Sequence, residues 1–67
     1  MKIRLKEIRE SSNLSQGSLA ELAGISRNSI GSIERGEFEP TAYVAGMLCK
    51  ALDVKFEDMF IFEKEGE

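Results

Sequence analysis

The sequence predicts an all-α domain of five short helices, and three observations carry that expectation. Apolar residues recur at the three- and four-residue spacing of a helix face. Asn13, Gly24, Gly36 and Pro40 punctuate those stretches at turn-like intervals. Ser15, Ser26 and Thr41 each stand just before an apolar run, where a hydroxyl can accept an orphan N–H of a helix start. With 67 residues there is room for one core, so residues 1–67 are expected to form a single domain.

The elements follow in order. Leu5 and Ile8 mark the inner face of a first helix from about Lys2 to Ser12. Asn13 suits a left-handed exit, and Leu14 returns the chain to the core. Residues 16–35 then read as two amphipathic helices broken by Gly24, a sharp turn that often requires φ > 0. Leu19, Leu22 and Ala23 on the first should meet Ile25, Ile30 and Ile33 on the second, with small Ala20 at the crossing point. This is a helix-turn-helix, which can present its second helix to a DNA major groove. A helical hairpin that only fills a core would need the periodicity but not the small crossing residue, the two capping serines and a short polar outer face.

Gly36 ends the third helix, and Glu37-Phe38-Glu39-Pro40 is a loop whose proline holds Glu39 extended. Thr41 caps a fourth helix with Tyr43, Val44, Met47, Leu48, Ala51 and Leu52 at helical spacing. Asp53-Val54-Lys55 interrupts, and residues 56–60 make a fifth short helix. Residues 61–63 are β-prone and can pair with Lys2-Ile3-Arg4 as a short antiparallel element.

Composition excludes several chemistries. One cysteine and no histidine rule out an internal disulfide and a Cys/His zinc site. No nucleophile–base pair, glycine-rich phosphate loop or calcium loop can be found, so neither an enzyme nor a bound cofactor or metal is expected. Cys49 reads as a small core hydrophobe, a redox sensor being the lesser alternative. No apolar run is long enough for a membrane span, no small-molecule ligand is evident, and a cytoplasmic protein is expected. The net charge is −3, but residues 1–36 carry +2 and residues 37–67 carry −5, so an acidic half can face away from DNA. A merely solvated acidic surface is an equal reading.

Taken together, Leu5…Ile8-Arg9, Leu14-Ser15-Gln16…Leu19-Ala20…Ala23-Gly24-Ile25-Ser26 and Ser29-Ile30…Ile33-Glu34-Arg35-Gly36 resemble the Cro/CI-type, lambda-repressor-like helix-turn-helix regulators. Pro40, Leu48, Leu52 and Glu57-Asp58-Met59-Phe60 extend the resemblance over roughly residues 2–60. It implies a sequence-specific, double-stranded-DNA-binding transcription regulator, commonly a homodimer. A repressor is the simplest mode for a bare domain that acts by occupying a promoter. The alternative is an antitoxin-like interaction module with weak or no DNA binding.

The resemblance also assigns residues. Arg27, Asn28 and Ser32 are the expected base readers: Arg27 suits guanine O6 and N7, and Asn28 suits adenine. Ser15, Gln16, Ser26, Ser29, Arg35 and Gly36 are the expected phosphate contacts. Arg9 and Glu34 match a buried ion pair that joins the first helix to the third. Glu37 and Glu39 depart from the pattern, since many relatives carry lysine there, and should weaken binding. Phe56, Met59, Phe60, Ile61 and Phe62, within a dimerisation segment of about residues 56–63, are too dense for a small domain to bury and are expected at a two-fold interface.

Overall fold

A computed structural model describes residues 1–62. Its order is β1 (Lys2–Ile3), α1 (Leu5–Ser11), α2 (Gln16–Ala23), α3 (Arg27–Glu34), α4 (Ala42–Leu52), α5 (Phe56–Met59) and β2 (Phe60–Ile61). The fold is thus the all-α, five-helix domain expected, with a small antiparallel sheet. Lys2 pairs with Ile61 and Ile3 with Phe60, and the Arg4 N–H donates to the Met59 carbonyl at 2.8 Å.

Local chemistry sets the boundaries. The Ser15, Ser26 and Thr41 hydroxyls accept from the N–H groups of Ser18, Ser29 and Val44, each closing a helix start. Gly24 leaves α2 at φ 73°, and Asn13 leaves α1 at φ 60°. The first helix begins at Leu5 and not near Lys2, because Lys2 and Ile3 are drawn into the sheet. The sheet in turn uses residues 60–61 where 61–63 were expected, with Glu63 outside the described residues.

One apolar cluster joins every helix: Leu5 of α1, Leu19, Ala20 and Ala23 of α2, Ile30 and Ile33 of α3, Ala45, Leu48, Cys49 and Leu52 of α4, and Met59 and Phe60 at the end. Three expected core residues neither join it nor pack against it, Met47 of α4 being half-buried. Leu22 is 60% exposed, because it sits about 100° round the helix from Ala23, beyond the arc of Leu19, Ala20 and Ala23. Tyr43 is 72% exposed, on the side of α4 opposite Ala45, Leu48, Cys49 and Leu52.

The C-terminal apolar cluster divides. Met59 and Phe60, expected at the interface, are buried in the chain's own core. Met59 points inward from the one-turn α5, and Phe60 enters the sheet opposite Ile3. Phe56 and Phe62 remain exposed, and Ile61 is half-buried. The Phe56 ring stacks on Phe60 with centroids 4.7 Å apart and lies 6.1 Å from Phe62.

Candidate nucleic-acid interface

The helix-turn-helix is built by α2 and α3. Ile30 and Ile33 anchor α3 inward, so the opposite face of the same helix is held outward. Arg27 and Asn28, in its first turn, are exposed and have no side-chain hydrogen-bond partner among the described residues. Ser32, one turn beyond Asn28, is half-buried, and its Oγ accepts from Arg35 Nη2 at 3.4 Å. Asn28 and Ser32 therefore line one face of α3, with Arg27 exposed beside them in its first turn.

The expected phosphate contacts surround that helix but are not idle. The Ser15 hydroxyl caps α2 and donates to Ser18 Oγ at 3.0 Å. The Ser26 hydroxyl caps α3 and donates to Ser29 Oγ at 2.8 Å. Both caps hold the N-terminal turns rigid, where N–H groups and the positive helix end favour an anion. Gln16 begins α2, and its Nε2 donates to Glu34 Oε1 at 3.0 Å.

Glu34 is also the hub of the expected ion pair. Arg9 Nε donates to Glu34 Oε2 at 2.7 Å and Arg9 Nη2 to Oε1 at 3.2 Å, while Arg9 Nη1 donates to the Leu14 carbonyl at 2.7 Å. The two side chains are 10% and 4% exposed, so the pair is desolvated as well as forked. Burial alone would push the Glu34 carboxyl up. Hydrogen bonds from Arg9 and Gln16, with the nearby positive charges of Arg9 and Lys6, outweigh it and hold the carboxyl below its ordinary value.

Three features were not read from the sequence. Arg35 folds back along α3: its Nη1 lies 3.0 Å from where a Cβ on Gly31 would be. Glu37 then holds the guanidinium by Nε–Oε2 and Nη2–Oε1 bonds of 3.0 and 3.2 Å. Each charge stabilises the other, lowering the Glu37 carboxyl and raising Arg35. The loop acid thus partners an expected phosphate contact two residues before it. Secondly, Phe38 stands beside Asn28, Ser29 and Ser32 around a shallow cavity of about 230 Å³. Its placement depends on the turn at Gly36, whose path no periodicity encodes. Finally, Gln16 reaches Glu34 across the α2–α3 angle, a pairing that becomes visible only once the two helices cross.

The comparisons with known proteins agree with this geometry. A helix-turn-helix family profile matches residues 5–59. An HTH-type transcriptional regulator of Methanocaldococcus jannaschii, MJ0272, is 42% identical over 65 residues, spanning 97% of this chain and 98% of that protein. The HTH-type transcriptional regulator YgzD of Bacillus subtilis is 38% identical over 66 residues, 98% of this chain and all of that one. The crystal structure of the restriction-modification controller protein C.AhdI from Aeromonas hydrophila superposes with a TM-score of 0.82 at 37% identity, covering 85% of this chain and 86% of that chain. The capped α2 and α3, the left-handed turn at Gly24 and the exposed Arg27 and Asn28 agree with that match, and the chain belongs to the family: it is a DNA-binding transcriptional regulator of the Cro/CI-type helix-turn-helix family, and not an enzyme.

Proposed function

We propose that the chain is a dimeric, cytoplasmic repressor that reads a palindromic operator with the N-terminal half of α3. The observation that carries this reading is that Arg27 and Asn28 are exposed and uncommitted on a helix otherwise fixed by Ile30 and Ile33. Arg27 donates to guanine and Asn28 pairs with adenine, with Ser32 as a short adaptable contact. Gln16 and the capped starts of α2 and α3, with Ser15, Ser26 and Ser29, meet phosphate, as do Arg35 and the Gly36 backbone. The likeness to a restriction-modification controller protein supports a regulatory role.

Dimerisation rests on the aromatic surface at the C-terminal end. Phe56 and Phe62 leave large apolar area in water beside half-buried Ile61, a contiguous patch suited to a two-fold contact. Two such domains would set their α3 helices about 34 Å apart, one turn of B-DNA.

Selection of bound sequences from random duplex DNA, followed by affinity measurements over a salt series, tests the proposal. A palindromic consensus and a steep salt slope are expected. Arg27→Ala or Asn28→Ala should each cost about 1–3 kcal/mol and relax one base position, whereas Gln16→Ala should weaken all sequences alike. Retention of wild-type affinity and selectivity by both α3 variants would remove α3 as the reader. An absence of salt-dependent duplex binding would favour the interaction-module alternative.

A further inference from the structure

Phe38 is the large apolar side chain set against the outer face of α3. It is 42% exposed and stands outside the core cluster, so it does not serve packing as Ile30 and Ile33 do. Among the described residues, the ring shares its shallow cavity with Asn28, Ser29 and Ser32. The hydroxyls there are already engaged: Ser29 Oγ accepts from Ser26, and Ser32 Oγ accepts from Arg35. What the cavity offers an incoming group is therefore an aromatic surface next to the free amide of Asn28. The major-groove edge of DNA carries one apolar group, the C5 methyl of thymine, and apolar side chains including Phe read it by contact.

We propose that Phe38 is a base-reading residue whose ring, with Asn28, Ser29 and Ser32, receives the 5-methyl group of a thymine. The proposal rests on α3 being the DNA reader and adds a specificity element outside the helix. The amide of Asn28 suits adenine, so the same cavity favours an A·T-rich step: an adenine edge on the amide and a neighbouring methyl on the ring. The cavity opens outward, as a base edge entering from a groove requires, and Phe38 follows Gly36 in a loop anchored by the Arg35–Glu37 pair.

The test uses the full chain and the sequence it selects from random DNA. Each thymine of one half-site is replaced in turn by 2′-deoxyuridine, which removes only the methyl group. Dissociation constants are then measured by fluorescence anisotropy at fixed salt for the wild type, Phe38→Ala and Arg27→Ala. At one thymine the wild type should weaken about three- to fourfold, the burial of a single methyl group. Phe38→Ala should bind the thymine and deoxyuridine duplexes equally at that position. Its thermal midpoint should match wild type, since the ring is outside the core. Indifference of the wild type at every thymine, or unchanged methyl sensitivity in Phe38→Ala, overturns the proposal. Arg27→Ala separates this from the parent reading: if it relaxes selection while deoxyuridine is silent, only the role of Phe38 falls. If it leaves selection intact, α3 is not the reader and both fall.

Discussion

Glu34, the last residue of α3, receives a forked pair of hydrogen bonds from Arg9 in α1 and a third from Gln16 at the start of α2. One carboxylate thus ties three helices, two of which form the helix-turn-helix. Its net effect on stability is not the Coulomb attraction alone, because both partners have been taken out of water. What it enforces is geometry: the end of α3 cannot swing without leaving Arg9 buried and unpaired.

Removing either partner should therefore be costly. Arg9→Ala is expected to lose about 3–5 kcal/mol in denaturant unfolding, as is usual when one member of a buried pair remains. A loss under about 1 kcal/mol would be the behaviour of an exposed pair instead. Acid should reveal the same bond. The Glu34 carboxyl is held below its unfolded value, so its contribution is complete above the ordinary carboxylate range and disappears as pH falls through the lowered folded value. Glu34→Gln should flatten that acid limb of stability, measured by urea midpoints across pH, while lowering stability near neutrality.

Two glycines should respond in opposite directions to alanine. Gly46 lies within α4, and a Cβ there meets nothing within 4 Å, so Gly46→Ala should stabilise by about 0.5–1 kcal/mol. Gly24 has equal space but sits at φ 73°, so Gly24→Ala should destabilise by about 1–2 kcal/mol through backbone strain. Thermal melts of the two variants check the pair.

The C-terminal aromatics can be separated experimentally. If the chain dimerises as proposed, Phe62→Glu should convert it to a 7.5 kDa monomer in sedimentation while leaving the domain folded. Phe60→Glu should unfold it, because a charge would enter the core. A wild type that sediments as a monomer at micromolar concentration ends the dimer reading.

Arg35, the proposed phosphate contact, is held by Glu37. Glu37→Gln should raise affinity for all duplexes and steepen the salt dependence by about one counterion, since the released guanidinium can neutralise a phosphate. In an Arg35→Ala background the same change should do much less. Equal gains in both backgrounds would show only a general effect of removing negative charge.

The helices and their caps were legible because each rests on local chemistry. Ser15, Ser26 and Thr41 accept from the third residue beyond, Gly24 and Asn13 take positive φ, and Ile30 and Ile33 obey helical spacing. Errors arose where a face, and not a period, decides burial. Leu22 and Tyr43 are apolar at plausible spacing yet lie outside the arcs their helices bury. For Met59 and Phe60 the density of apolar residues points to an interface, but the turn of α5 and the pairing with Ile3 direct both inward. The positions of Arg27 and Asn28 on the outside of α3 follow from the same inward anchors. The Arg35–Glu37 bond and the seat of Phe38 do not, since they depend on a loop path set by tertiary contact.

The pairing of Lys2-Ile3 with Phe60-Ile61 joins the two ends of the described residues. As the chain leaves the ribosome, α2, α3 and α4 emerge as neighbours able to pack on one another, and their contacts close over short loops. Ile3 emerges before them all, yet its backbone partner is nearly the last part of the sheet-bearing segment to be made. Its loop is among the longest the domain must close, so the clasp is expected to form after the helices pack. A chain shortened before Met59 would leave its defect at the opposite end, in the unprotected amide of Arg4 at the start of α1.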